Sequence, residues 1–284
     1  MKKMNAIGNK AFCLRETEKV CRTLKIIKGD SMENMVLFNE NQKYVSFIRN
    51  TLLEEFSTQY HNGLYAYTQK SLTYNSNHME GSTLTEEQTS SLFDTGTVYG
   101  EDVFRAQDIE EANGHFWMFN EMLKSLDSEL TEELIKHFHY CLKNNVFIYR
   151  ANGYIAGEYK KRPNIAGTEK TVSPAAVPEA IQSLLMVYNK KKKKSLLDIV
   201  KFHADFELIH PFQDGNGRVG RLILFRESLI NDLVPPIIAD KDHTKYIYAI
   251  REAHQENYER LLDIVQEAQA FYLNEVKYFM GFLN

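Results

Sequence analysis

The chain has 284 residues, of which 43% are hydrophobic and 25% charged, and its net charge is −4. That length can bury a substantial core, the composition is globular rather than disordered, and the charge offers no electrostatic case for nucleic acid. Cys13, Cys21 and Cys141 are too few and too scattered for a disulfide scaffold or a cysteine zinc site, and read as reduced thiols.

Helical spacing dominates the chain. Tyr44, Phe47, Ile48, Leu52 and Phe56 give an amphipathic segment over 41–60. Ser76 and Glu80 are four apart and belong on one helix face. Thr85-Glu86-Glu87-Gln88 is a capping box that should start a helix. Val103, Ile109, Phe116, Phe119 and Leu123 give a helix within 101–125, and Glu132 and Glu133 suit the start of another over about 131–143. Residues 149–174 differ, with Gly153, Gly157, Gly167, Pro163 and Pro174 among basic and polar residues, and predict a loop or short hairpin. Pro178 opens a helix through Val187, Ser195-x-x-Asp198 starts the next, and a last long segment runs from about Thr244 to Leu283 with a break near Gln255-Glu256-Asn257. Met1-Lys2-Lys3 is followed by no apolar core, and no apolar run approaches about 18 residues. The expectation is a cytoplasmic protein without membrane contact.

The most informative stretch is His210-Pro211-Phe212-Gln213-Asp214-Gly215-Asn216-Gly217-Arg218-Val219-Gly220-Arg221. A histidine of ordinary pKa about 6.5 can accept a proton near neutral pH. Asp214 is a hard oxygen ligand of the kind that holds Mg²⁺ together with substrate phosphates. Gly215 and Gly217 allow a tight turn, and the helix expected after Gly217 would turn its unpaired N–H groups and positive dipole end toward an anion. Arg218 and Arg221, three apart, share a face from which both reach that anion. The chemistry suggests a hydroxyl activated to attack phosphorus. Gly215-x-Gly217-x-x-Gly220 with Asp240 also imitates a dinucleotide fingerprint, but that motif needs a strand before it. Leu196, Ile199, Val200, His203 and Phe206 have helical spacing instead. There is no P-loop and no kinase signature set.

This dozen residues resembles the Fic family signature at every fixed position. The resemblance implies an all-α Fic-type helical bundle with a short β-hairpin flap, the hairpin falling within 149–174. It implies a nucleotidyltransferase that moves AMP from ATP, with Mg²⁺, to a Ser, Thr or Tyr hydroxyl of a target protein. By position, His210 is the implied general base and Asp214 the metal ligand. Phe212 is the implied core anchor, Gly215, Asn216 and Gly217 hold the α- and β-phosphates, and Arg218 and Arg221 hold the β- and γ-phosphates. Tyr246, Tyr248 and His254 lie where the family surrounds adenine. A homodimer is common in the family.

Ser76-Asn77-His78-Met79-Glu80-Gly81 also resembles the inhibitory motif of the Fic class that carries it N-terminal to the core. The resemblance implies that Ser76 fixes the helix and that Glu80 pairs with Arg221, so that ATP binds in a pose unfit for attack. Here Gly81 is followed by Ser82 rather than Asn. The implied organisation is an inhibitory N-terminal helical region over 1–99 and a Fic domain over 100–284. Alternatives are removal of AMP by the same site, transfer of another phosphate-bearing group, and a non-catalytic nucleotide-binding regulator. His137, His139 and His203 read as structural, and the lysines at 190–194 as a solvated loop.

Overall fold

The computed structural model describes residues 32–100, 103–166 and 169–281, with side chains from residue 41 onward. Met1-Lys2-Lys3, Cys13, Cys21 and Gly167 lie outside the described residues. The fold is all-α with one small hairpin. Its helices are α1 (Met32–Thr58), α2 (Leu64–His78), α3 (Glu86–Thr95), α4 (Ala106–Lys124), α5 (Glu132–Lys143) and the short α6 (Phe147–Ala151). The antiparallel strands β1 (Ile165–Ala166) and β2 (Glu169–Lys170) follow, pairing Ile165 with Lys170 and Ala166 with Glu169. Then come α7 (Val177–Tyr188), α8 (Leu196–Ile209), α9 (Asn216–Ile230), α10 (His243–Ala253) and α11 (Glu259–Gly281). No described helix is long and apolar enough to cross a membrane.

Local chemistry accounts for several boundaries. Thr85 and Gln88 form both halves of the expected capping box on α3, and Ser195 and Asp198 do the same on α8. Thr131 caps α5 by accepting from the Leu134 N–H. The segment from 244 onward is two helices, parted at 254–258, where Glu256 adopts a left-handed φ of 65°. Two expectations shift. Val103 lies outside α4 and is exposed, because the helix begins only at Ala106. Glu80 does not ride on α2 itself, which ends at His78; it occupies the turn that Gly81 closes at φ 87°.

α4 runs along α5, and α8 along α9, and these two pairs hold the centre of the molecule. Phe119, Phe138, Phe206, Phe212, Phe225 and Tyr272 are all essentially buried in one continuous core, which also takes in Ile48 and Leu52 of α1. Each such aromatic removes a large apolar area from water, worth roughly 1.5–3 kcal/mol for a fully buried side chain of the Phe or Leu class. The motif loop between α8 and α9 is thus anchored in this core by the buried Phe212.

Candidate active site

His210 closes α8 in the left-handed conformation (φ 51°, ψ 60°), which turns the chain sharply into the loop. Its Nδ1 stands 3.2 Å from the Glu207 carbonyl, which can only accept, so Nδ1–H donates and Nε2 keeps its lone pair. Burial lowers the His210 pKa, so the ring is a neutral proton acceptor at pH 7.

The loop itself is stapled. Asn216 Oδ1 accepts from the Phe212 N–H (2.7 Å) and its Nδ2 donates to the Phe212 carbonyl (2.9 Å). The Asn216 amide is therefore engaged at both ends, and only its backbone N–H is left to face a ligand. The Phe212 ring is buried and stacks on His139 at 3.8 Å, almost parallel. His139 Nδ1 accepts from the Gly157 N–H (2.9 Å), so the proton sits on Nε2 and goes to the Asp214 carbonyl (3.1 Å). Burial pushes the His139 pKa down to about 3, consistent with a structural neutral ring. Gly215 caps α9 at φ 87° without a side-chain cap, which leaves the first N–H groups of that helix without a side-chain partner.

Behind the loop lies a buried charge network that the sequence did not reveal. Lys143, fully buried on α5, donates to Glu111 on α4 and to Asp214 Oδ2. Arg218, 2% exposed, also donates to Glu111, to Asn77 Oδ1 (3.2 Å) and more distantly to Asp214 Oδ1 (3.4 Å). Asp214 Oδ1 accepts from the Gly215 N–H at 2.7 Å. Burial works to raise the Asp214 pKa, but Arg218 and then Lys143 overcome it and hold the carboxyl ionised.

Arg221 is separately occupied. Its Nε donates to Ser76 Oγ (3.0 Å), and one terminal nitrogen donates to the Ser76 carbonyl (2.9 Å) and to Glu80 Oε1 (2.7 Å). Burial tends to raise the Glu80 pKa, yet Arg221 and Arg218 outweigh it and keep the carboxyl below its ordinary value. A Cβ on Gly217 would collide with the Glu80 carboxylate and the Arg221 guanidinium. A side chain at 217 would therefore displace the ends of this pair, so glycine there serves close approach rather than a special φ.

A cleft of about 380 Å³ opens here, lined by His210, Gly217, Glu80, Arg221, Tyr246 and His254. Asp214, Gly215, Asn216 and Arg218 adjoin it through the loop and the start of α9 but are not among its lining residues. Met79, Ile165, Ile247 and Ile250 give it apolar walls suited to a flat ring. Tyr246 is buried and donates its hydroxyl to His203 Nε2 (2.6 Å), while His203 Nδ1 donates to the Gly220 carbonyl (3.2 Å). His254 bonds Glu169 of the hairpin (2.7 Å) and the Ala204 carbonyl (3.1 Å), so both ring nitrogens are engaged. Tyr248 is exposed and does not line the cleft. The hairpin arm is fixed to the loop by Lys160, whose N–H donates to the Pro211 carbonyl (2.8 Å), and by Asn164 Nδ2 on the Phe212 carbonyl (2.9 Å). Lys191 and Lys193 of the exposed lysine run pair with Asp198 and Asp232.

Glu207, also in the cleft wall and absent from the sequence reading, has a buried Oε1 without a hydrogen-bond partner. Burial pushes its pKa from 4.5 up to about 7, opposed by Arg221. Its folded value exceeds its unfolded one, so its favourable contribution is present below about pH 4.5 and lost as pH rises through about 7. Glu207→Gln is therefore expected to melt near wild type at pH 5 and to be more stable at pH 8, by on the order of 2 kcal/mol. Paired thermal melts check this; equal shifts at both pH values would contradict it.

Residues 129–226 match the Fic/DOC family model. A probable protein adenylyltransferase of Aquifex aeolicus is 41% identical over 86 residues, 29% of this chain and 25% of that protein. The protein adenylyltransferase Fic of Nematostella vectensis is 25% identical over 189 residues, 64% of this chain and 42% of that protein. The matches thus span 25% and 42% of the length of these curated relatives. Among solved structures, a Fic domain containing signaling protein from Bacteroides thetaiotaomicron shares the fold, with a TM-score of 0.68 at 24% identity over 85% of this chain and 97% of that one. Residues 129–226, which hold the His210–Arg221 motif, thus match the Fic/DOC family model, and the chain shares its helical fold with a solved Fic domain protein.

Proposed function

We propose that the protein is an adenylyltransferase that moves AMP from ATP to a Ser, Thr or Tyr hydroxyl of a target protein and is restrained by its own Glu80. The observation that carries this reading is the placing of three things at one cleft: the lone pair of His210 Nε2, the uncapped start of α9, and Arg221. Nε2 takes the proton of the target hydroxyl. The oxygen attacks the α-phosphorus, the bond to the β-phosphate oxygen breaks, and pyrophosphate leaves. The N–H groups at the start of α9 and, once Glu80 lets it go, the Arg221 guanidinium stabilise the charge on the phosphates, with Arg218 adding positive charge from behind the loop.

Among the described residues, no group of three or more His, Cys, Asp or Glu could hold a metal ion. A lone carboxylate held ionised, as Asp214 is, fits Mg²⁺ whose remaining ligands are phosphate oxygens and water. When bound, the ion neutralises phosphate charge.

The brake acts through Arg221. A guanidinium that already donates to Ser76 and Glu80 is not free to grip a γ-phosphate. We assign the brake to a region over 1–99 and the catalytic unit to 100–284. Glu80 also lines the cleft beside His210, which supports a second activity in which its carboxylate orients water for removal of AMP. The group transferred is tested with ATP labelled at the α- or the γ-phosphate, incubated with a lysate and a Glu80→Gly variant. Label on protein from α-labelled ATP alone is expected. Label from the γ position alone would overturn AMP transfer, and no label from either would favour a non-catalytic nucleotide regulator.

A further inference from the structure

Asp214 is engaged before any ligand arrives. Lys143 Nζ occupies its Oδ2, the Gly215 N–H its Oδ1, and Arg218 stands 3.4 Å from the same oxygen. Lys143 is no surface residue that drifts to a carboxylate. It is fully buried, its ammonium held between Asp214 and Glu111, over the ring of Tyr149 at 5.4 Å. The fold makes room for it: a Cβ on Gly215 would crowd Lys143 Cε at 3.1 Å. Its helix is fixed to the same loop four residues earlier, where His139 donates to the Asp214 carbonyl. α5 thus grips Asp214 twice, once by its backbone and once by its side chain.

The charges of this network cancel. Lys143 and Arg218 are cations, and Glu111 and Asp214 are carboxylates. A free divalent cation approaching Asp214 meets two fixed positive charges and no net negative field. A triphosphate would add the missing negative charge.

We infer that Lys143 is a positioning residue that holds Asp214 and makes metal binding there conditional on nucleotide. The inference rests on the reading that Asp214 carries the metal. It goes beyond that reading because it concerns the protein without nucleotide, where a resident ammonium stands in for the divalent ion and keeps the acidic pair closed to it.

The test uses Mn²⁺ alone, with the loss of the free-ion paramagnetic resonance signal as readout and no nucleotide present. Wild type should show no Asp214-dependent Mn²⁺ binding. Lys143→Met, which keeps the stem and removes the charge, should bind Mn²⁺ at least about tenfold more tightly, and Lys143→Met/Asp214→Asn should lose that gain. Lys143→Arg, which keeps the cation, should behave as wild type, so that the gain in Lys143→Met is traced to the lost charge; a merely structural role would give no Asp214-dependent gain in Lys143→Met. A folded Lys143→Met with wild-type Mn²⁺ affinity would overturn the inference. A gained site that survives Asp214→Asn would instead show that the metal assignment to Asp214 is wrong. Should Lys143→Met fail to fold, by circular dichroism, wild type decides the matter. Tight nucleotide-free Mn²⁺ binding abolished by Asp214→Asn overturns the inference, and its absence sustains it.

Discussion

Replacing Glu80 with glycine is expected to raise AMP transfer by about ten- to a hundredfold. The upper figure follows from population arithmetic. Keeping 99% of molecules shut requires about 2.7 kcal/mol, half of the roughly 5.5 kcal/mol needed to move an equilibrium from 1:99 to 99:1. One charge-assisted hydrogen bond of about 1.5–3 kcal/mol is of that size. The Arg221–Glu80 bond is 2.7 Å long, with a buried arginine and a carboxylate side chain 30% exposed. Ser76 would still hold Arg221 by two bonds in the variant, so the side chain stays near its present place while one donor direction is released. The measurement is transfer of α-label to target or to the protein itself, wild type against Glu80→Gly. Equal rates would remove Glu80 from regulation. If the same carboxylate also serves removal of AMP, the variant loses removal while gaining addition. The brake should hold across neutral pH and loosen only in acid below the ordinary carboxylate range. Glu80 has a depressed pKa, so its ionised, paired form is lost only as pH falls through that lower value.

His210→Ala is expected to lower transfer by about 10²–10⁴-fold, the usual contribution of a positioned general base, while ATP still binds. The two effects should separate because His210 Nδ1 holds only the Glu207 carbonyl. The loop is otherwise held by Asn216 on Phe212 and by His139 on Asp214. Calorimetry of nucleotide binding beside a transfer assay checks this. The pH profile of the wild type adds a signature. Burial depresses the His210 pKa, so transfer should rise with pH through a point below the ordinary histidine value and be flat at neutrality. Retained transfer in His210→Ala would take His210 out of the chemistry.

The parts of this site that were legible in the sequence are those the chain keeps together. His210 through Arg221 are consecutive, and the turn, the left-handed Gly215 and the helix after it follow from local glycine and histidine chemistry. The helix starts at Thr85 and Ser195 were legible because a cap is a relation between residues three apart, and the start at Glu132 because its first turn is acidic. Glu111 and Lys143 were not, because each enters from a neighbouring helix and only packing brings it to the loop; Glu207 lies one turn before His210 on α8, outside the motif, and only the structure shows its carboxyl buried in the cleft wall. One signal for Lys143 existed: it lies four residues after His139, so both fall on the buried stripe of α5, and a lysine there needs anionic partners. The hairpin was read from its glycines and prolines alone. Two paired residues per strand are too few for an alternating pattern to show. Arg218 illustrates the limit of face-sharing arguments. It sits three residues before Arg221 as expected, yet Glu111 pulls it into the buried network while Arg221 turns to Glu80.

The central claim is that one triphosphate fits between His210 and the start of α9. A crystal structure of Glu80→Gly with a non-hydrolysable ATP analogue and Mg²⁺ tests it most directly. The account predicts the α-phosphate against the backbone N–H groups of 216 and 217, within reach of a hydroxyl hydrogen-bonded to His210 Nε2, and the terminal phosphate on Arg221. Phosphates bound elsewhere, or bound with His210 turned away from them, would contradict it.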